Sequence, residues 1–119
     1  MKRIGLFGIF LFILVLTITG IVNSAPAYPN KSLELVVPWA AGGTSDLTAR
    51  GVAKALEPLL GQPVVVTNIV GASGAIGHNR VRQSKADGYT ILFSSVSFVG
   101  GYYLGQYPFD WHEFDPLSG

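Results

Sequence analysis

The chain has 119 residues, a length that suits one ordinary domain and is too short for two. Its formal net charge of +1 gives no electrostatic basis for binding nucleic acid or an anionic membrane surface. It contains no cysteine, which excludes disulfide bonds and a lipid-modified cysteine anchor.

Residues 1–27 have the layout of a secretory signal peptide. Two basic residues precede an uncharged, mostly apolar run at 4–22, and small residues follow it. Cleavage after Ser24 and cleavage after Ala27 both fit the small-residue pattern. An uncleaved membrane anchor is the alternative, since about 20 apolar residues span a bilayer. In either case we expect residues 28–119 to be exported.

The exported part begins with a strand and a helix. Residues 33–37 (LELVV) are largely apolar, which predicts a buried strand that ends at Pro38. A helix is predicted from an N-cap at Thr44 or Ser45 to a stop at Gly61. Its apolar residues form a single stripe. They are Ala49, Val52, Ala53, Leu56, Leu59 and Leu60.

Two further strands and a second helix follow. Residues 64–67 (VVVT) predict a strand that is covered on both faces, and residues 89–94 (YTILFS) predict a third strand. Between them we expect a glycine-containing loop at 68–74, a helix at about 75–84 and a turn at 86–88. This order predicts the fold class as α/β, an open parallel sheet with flanking helices and the strand order 2-1-3.

The remaining residues carry many aromatic side chains and no clear element to bury them. Residues 98–104 predict either a short helix or an extended segment, and residues 106–119 resemble a connector. The aromatic side chains either cover one edge of the sheet or pack against a part of the fold outside this chain. We expect the second arrangement, because large exposed aromatic clusters are rare on monomers. These residues are Tyr102, Tyr103, Tyr107, Phe109, Trp111 and Phe114.

Two glycine-rich loops follow the first and second predicted strands. Loops at this edge of a parallel sheet line the crevice where ligands bind. Gly42 and Gly43 let backbone N–H groups approach a ligand, and Gly71, Ser73 and Gly74 repeat the arrangement before the next helix. The first loop matches neither a phosphate-binding P-loop nor a dinucleotide fingerprint, and we therefore predict a carboxylate ligand. The alternative is that the glycines only permit tight turns.

Catalytic and metal-binding interpretations of the polar residues have little support. No GxSxG motif is present, and we expect His78 on a helix surface. The candidate nucleophiles and bases would be Ser73, Ser94, Ser95, His78 and His112. A separate polar cluster is more typical of a solvated turn than of a metal site. It consists of His112, Glu113 and Asp115.

Several motifs together resemble a known family. In chain order they are PWAAGGTSD at 38–46 with AR at 49–50, LGQPVVV at 60–66, Asn68, GASG at 71–74 and ADGYT at 86–90. This series is similar to the Bug family, the periplasmic solute receptors of tripartite tricarboxylate transporters. The likeness covers residues 28–114, and five motifs in the same order are far more specific than any one of them.

The resemblance implies one lobe of a type II periplasmic binding protein. Such a receptor is not an enzyme; it captures a small carboxylate, a di- or tricarboxylate or a similar organic acid, and passes it to membrane subunits. The ligand-binding residues implied are Trp39, Ala40, Gly42, Gly43, Thr44, Asp46, Asn68, Ser73, Gly74, Ala75, Ser94 and Ser95. Asp46 would either complement the helix dipole in the first turn or hold bridging water or an amino group of the ligand.

Two departures from the family pattern qualify these expectations. Family chains commonly carry Arg-Pro after the asparagine, whereas this chain has Ile69 and Val70, so a cation that could fix the loop is missing. Family chains are also much longer. We therefore expect residues 28–119 to form an incomplete N-terminal lobe, as a fragment, a truncated product or a gene remnant. The alternatives are an exported nucleotide- or cofactor-dependent α/β enzyme and a remnant that folds poorly.

Overall fold

The computed structural model describes residues 27–117, so the predicted signal peptide lies outside this range except for its last residue. Three parallel strands form one sheet in the order β2-β1-β3, which confirms the predicted fold class and strand order. The strands are β1 (Leu33–Val37), β2 (Val64–Asn68) and β3 (Thr90–Leu92). Within residues 27–117, no helix is long and apolar enough to cross a bilayer.

A helix follows each strand. They are α1 (Thr44–Leu60), α2 (Ala75–Arg82) and α3 (Val96–Tyr103). Of the two predictions for residues 98–104, the short helix is correct. Short 3-10 turns lie at Ala72–Gly74, directly before α2, and at Trp111–Glu113.

The two ends of α1 differ in how well the sequence predicts them. Gly61 is the C-cap in the left-handed region, with φ of 64°, and its N–H donates to the Glu57 carbonyl at 2.9 Å. The predicted N-cap is wrong. Gly43 is the N-cap, because its backbone is extended while Thr44 and Ser45 already lie inside the helix. No side chain caps this end of α1.

The main core lies between α1 and one face of the sheet. Leu35 and Val37 of β1 pack there against Ala49 and Ala53 of α1, all of them buried, and the small alanines let the helix approach the sheet closely. The buried stripe is narrower than predicted. Leu59 is 80% exposed and Val52 is 40% exposed, because both flank the line of contact.

Helix α2 packs on the other face of the sheet, over β1 and β3. Gly77 permits this close contact, because a Cβ atom there would lie 2.7 Å from the Ile69 carbonyl oxygen and 2.8 Å from Cβ of Pro38. The prediction that β2 is covered on both faces is wrong for Val65, which is 52% exposed. Helix α2 has only eight residues and packs over the other two strands.

The aromatic tail forms a second core of its own. Phe98, Tyr107 and Phe109 are buried against one another, and the rings of Phe98 and Tyr107 also pack on His78 at centroid distances of 4.0 and 5.4 Å. The expectation that the tail needs a partner outside the chain is therefore wrong for these residues. The tail folds back on α2, and it leaves Tyr103 73% exposed.

Candidate functional site

The candidate site lies at the edge where all three strands end. Parallel pairing places Asn68 beside Val37, so the loops that follow β1 and β2 start next to each other. Helices α1, α2 and α3 all begin at this edge. Their N-caps are Gly43, Gly74 and Ser95, and none of the three helices has a side-chain hydrogen bond at its cap.

The start of α1 presents free backbone donors. The first N–H to bond within the helix is that of Leu47, which donates to the Gly43 carbonyl at 3.0 Å. The N–H groups of Thr44, Ser45 and Asp46 precede it and have no intrahelical acceptor. The surface over this first turn is open, since Ala40, Gly42, Gly43 and Thr44 are all exposed.

The buried carboxylate of Asp46 places a negative charge of the protein itself in the first turn of α1. Its carboxylate is 2% exposed and accepts from the Gly42 N–H at 2.8 Å, from Nε of Arg50 at 3.1 Å and from Nδ2 of Asn68 at 2.9 Å. The hydrogen bond from Arg50, followed by that from Gly42, lowers the pKa of Asp46 to about 2. Asp46 is therefore ionised at neutral pH and fixes the shape of the first loop.

Asn68 joins the first loop to the end of β2. Its side-chain NH₂ donates to the Trp39 carbonyl at 3.0 Å as well as to Asp46, and its Oδ1 accepts from Nη2 of Arg50 at 3.2 Å. Both the NH₂ group and the oxygen of the amide are thus hydrogen-bonded to protein groups. Arg50 supplies a cation at this position, although the chain lacks the arginine that the family commonly places after the asparagine.

The second loop has an unusual backbone. Four consecutive residues have positive φ: Gly71 (134°), Ala72 (47°), Ser73 (54°) and Gly74 (95°). Left-handed geometry costs a residue with a Cβ atom about 1–2 kcal/mol, so Ala72 and Ser73 need outside support. Tyr107 provides some, because its hydroxyl donates to the Ser73 carbonyl at 2.7 Å.

His78 lies under the second loop and is fully buried, so the prediction that it lies on a helix surface is wrong. The tail, distant in sequence, covers it. Its Nδ1 lies 2.8 Å from the Gly74 carbonyl oxygen and its Nε2 lies 2.8 Å from Oγ of Ser94. Burial lowers the pKa of His78, and the hydrogen bond to Gly74 opposes this only in part.

The other predicted site residues lie along the same edge. Trp39 is half-buried, with its ring edge-on to that of His78 at 6.1 Å between centroids. Ser73 and Ser95 are exposed, and Ser94 and Ala75 are half-buried. Oγ of Ser95 lies 2.6 Å from Oγ of Ser97. The structure thus brings the predicted residues to one edge, and their contact with a ligand stays a prediction.

Sequence reasoning did not assign the roles that three residues have in shaping the site. Arg50 could have been found, because it lies four residues after Asp46 on one helix face, the spacing of an ion pair. His78 and Tyr107 have no such local signal. Their roles depend on the tail packing back over α2, which hydrophobic periodicity does not reveal.

The polar residues at 110–115 have a local structural role. The Asp110 carboxylate accepts from the backbone N–H of His112 at 3.0 Å, and the Glu113 carboxylate accepts from the backbone N–H of Asp110 at 3.0 Å. Arg82 also binds Glu113, at 2.7 Å. Among residues 27–117 no group of three acidic, histidine or cysteine side chains is placed to hold a metal ion.

Sequence comparison finds a family that matches more than half of the chain. The family described as "Tripartite tricarboxylate transporter family receptor" matches residues 48–118. The protein BugT of Bordetella pertussis is 49% identical over 74 residues, which are 62% of this chain and 23% of BugT. The chain thus spans about a quarter of the length of the curated relatives that it matches.

Solved structures share the fold. A TctC solute-binding protein from Polaromonas is 34% identical, with a TM-score of 0.71 over 76% of this chain and 31% of that protein. MatC from Rhodopseudomonas palustris, solved with bound malate, is 35% identical, with a TM-score of 0.53 over 55% of this chain and 22% of MatC. The Polaromonas neighbour is a solute-binding protein, and the family that matches this chain is a family of receptors.

Proposed function

Because the chain belongs to the tripartite tricarboxylate transporter receptor family, we infer that it contributes one wall of a receptor site for a small carboxylate. The full receptor would capture a di- or tricarboxylate in the periplasm and pass it to the membrane subunits of the transporter. Malate, the ligand of MatC, belongs to this chemical class.

One observation carries the proposal: three helices without side-chain caps begin at the same edge of the sheet. Each helix start carries a partial positive charge, and together the three favour an anion. The start of α1 also has unpaired N–H groups, whereas at α2 the N–H groups of Ala75 and Ile76 donate to the preceding 3-10 turn. We assign the N–H groups of Thr44 and Ser45 to the ligand, because they have no acceptor within α1. A carboxylate can be bound there without any lysine or arginine in contact with it.

Asp46 fits this proposal as a supporting residue. Its charge is balanced by Arg50, and its oxygens face Gly42 and Asn68. The ligand would therefore meet the exposed N–H groups of the first turn, while Asp46 keeps the loop that presents them in place. In this arrangement Asp46 and Asn68 act on the ligand through the loop.

Fluorescence titration of Trp39 tests the proposal directly. The sequence has two tryptophans, so Trp111→Phe leaves Trp39 as the sole emitter. This change is mild, because Nε1 of Trp111 is buried without a hydrogen-bond partner in the described structure. We expect saturable changes with di- or tricarboxylates and none with inorganic phosphate or a nucleotide. A cooperatively folded chain that responds to no organic acid would refute the proposal.

A charge variant at the helix start provides the matched comparison. Thr44→Glu places an anion in the first turn of α1, where it stabilises the helix and repels a ligand carboxylate. Thr48→Glu adds the same charge one turn later. We expect Thr44→Glu to weaken acid binding at least tenfold and Thr48→Glu to have a much smaller effect. Equal effects of the two variants would contradict binding at this helix start.

A further inference from the structure

A buried hydrogen-bond chain joins the second loop to the segment after β3 through His78. The imidazole is fully buried and makes one polar contact at each ring nitrogen, to Gly74 and to Ser94. The rings packed on it belong to Trp39, Phe98, Tyr107 and Phe114. Only Tyr107 among these four ionises, and burial raises its pKa, so none of them carries a charge near neutral pH.

The partner at Nδ1 decides where the proton of His78 lies. Nδ1 is 2.8 Å from the carbonyl oxygen of Gly74, and a carbonyl oxygen can only accept a hydrogen bond. Nδ1 must therefore carry the hydrogen. In the neutral ring, which burial favours, Nε2 then has only a lone pair and acts as an acceptor.

The state of Nε2 in turn decides which way the Ser94 hydroxyl points. Oγ of Ser94 lies 2.8 Å from Nε2, so it donates its single hydrogen to the imidazole. Oγ keeps only lone pairs for the crevice. Ser94, which the family resemblance places among the ligand-binding residues, then cannot donate to a ligand carboxylate. It can only accept a hydrogen bond.

We propose that His78 is a positioning residue that holds Ser94 as a hydrogen-bond acceptor, so that this corner of the crevice selects acids that carry a hydroxyl or other donor group. The selection rests on the proposed receptor function, whereas the orientation of Ser94 does not. Acids with only carboxylates and methylene groups would leave the lone pairs of Ser94 unpaired and would bind more weakly.

The proton position can be measured without any ligand. His112→Gln leaves His78 as the sole histidine of the full chain, so two-bond ¹H–¹⁵N spectra report on it alone. At pH 7.5 we expect a protonated Nδ1 and an unprotonated Nε2, and a shifted Nε2 resonance when Ser94→Ala is added. A protonated Nε2 would overturn the proposal, because Ser94 would then be free to donate.

Two acids that differ by one hydroxyl test the selection. We expect the full chain to bind malate about tenfold more tightly than succinate in calorimetric titrations, as for a loss of one paired hydroxyl. Ser94→Ala should bring the ratio close to one. Ser32→Ala, an exposed serine at the amino end of β1, should keep it.

The outcomes separate this proposal from the receptor function. Equal affinities for the two acids, or a ratio that Ser94→Ala leaves unchanged, would overturn the selection while acid binding itself stands. A folded chain that binds neither acid nor any other carboxylate would overturn the receptor function and the selection with it. The spectra of His78 would still decide whether it orients Ser94.

Discussion

Asp46 illustrates how a single buried carboxylate can fix the shape of a loop through contacts within the protein. A carboxylate near a helix N-terminus is favourable by itself, and here it also ties Gly42, Arg50 and Asn68 together. The sequence alone offered two roles for Asp46, the helix dipole and the ligand. The structure adds a third, because the hydrogen bonds of Asp46 run within the protein.

We predict that Asp46→Asn lowers the thermal unfolding midpoint and also weakens acid binding. The amide keeps the shape of the carboxylate, but it loses the ion pair with Arg50 and one of its two acceptor oxygens. Differential scanning calorimetry and Trp39 titration measure the two effects. Asp115→Asn, at an exposed carboxylate, is the control and should change neither. Tighter acid binding by Asp46→Asn would show that Asp46 mainly repels the ligand.

His78 gives the stability of the fold a defined pH dependence. Its pKa in the folded chain lies below the ordinary value of about 6.5, so below that pH the unfolded chain takes up a proton that the folded chain does not. We expect the His78 contribution to be constant above about pH 7.5 and to be lost as the pH falls through 6.5 towards the folded pKa. The slope should reach at most about 1.4 kcal/mol per pH unit.

Urea unfolding between pH 8 and pH 5 measures this slope. His112→Gln should retain it, since His112 is exposed, and His78→Gln should flatten it. The same slope in both variants would assign the pH dependence to other groups.

At the scale of elements, the sequence predicts most accurately the strands and helix ends that are determined by residues close together in the chain. The runs at 33–37 and 64–68 are apolar and β-branched, and Gly61 provides a left-handed stop, so β1, β2 and the end of α1 agree with prediction. The start of α1 does not, because the backbone of Gly43 rather than a hydroxyl side chain determines it. The burial of His78 depends on Tyr107, 29 residues further along the chain, and no local pattern encodes that contact.

Substitution by alanine should change the free energy of unfolding in opposite directions at two glycines, Gly77 in α2 and Gly51 in α1. At Gly77 of α2 a new Cβ atom would meet the backbone oxygen of Ile69 at 2.7 Å and Cα of Pro38 at 2.9 Å. We expect Gly77→Ala to reduce the free energy of unfolding by about 1–3 kcal/mol through overpacking. At Gly51 of α1 nothing lies within 4 Å, so Gly51→Ala should add about 0.5–1 kcal/mol of helix propensity.

Chemical denaturation of both variants tests this pair. Stabilisation by Gly77→Ala would show that α2 can move away from Pro38 at no cost. Destabilisation by Gly51→Ala would contradict the exposed position of that residue.

The hydroxyl of Tyr107 should contribute to the stability of the second loop as well as to that of the second core. Tyr107→Phe keeps the ring in the second core and removes only the bond to the Ser73 carbonyl. We expect a loss of about 0.5–1.5 kcal/mol and faster hydrogen exchange of the amides at 71–76. Tyr103→Phe, at a side chain that is 73% exposed, is the control and should change neither. Unchanged exchange in Tyr107→Phe would show that the loop holds its left-handed backbone unaided.

At the scale of the whole molecule, the described residues form a sheet with one face only partly covered. Val65 is exposed on that face beside a groove of about 370 Å³, which lies towards the amino ends of β1 and β3. Most of its lining residues lie away from the strand ends where the helices begin, although Thr67 of β2 is next to Asn68. The site is an open edge rather than an enclosed cavity, and we expect weak binding by this part of the receptor alone.

Even weak binding should stabilise the chain if it is specific for the folded state. At a ligand concentration 100 times the Kd, linkage predicts about 2.7 kcal/mol of added stability. We therefore expect malate at such a concentration to raise the Tm by several degrees, and Thr44→Glu, with affinity at least tenfold lower, to reduce the rise to about half or less. Sodium chloride at matched ionic strength is the control. An equal rise with salt would indicate general charge screening.

The left-handed second loop has a consequence for how the protein matures. Residues 71–74 leave the ribosome well before Tyr107, whose hydroxyl supports them from 34 positions away. The first loop needs only neighbours up to Asn68 and can form early. We therefore expect nascent chains to acquire the two halves of the crevice in order, the first as soon as β2 docks and the second only once the tail has been made.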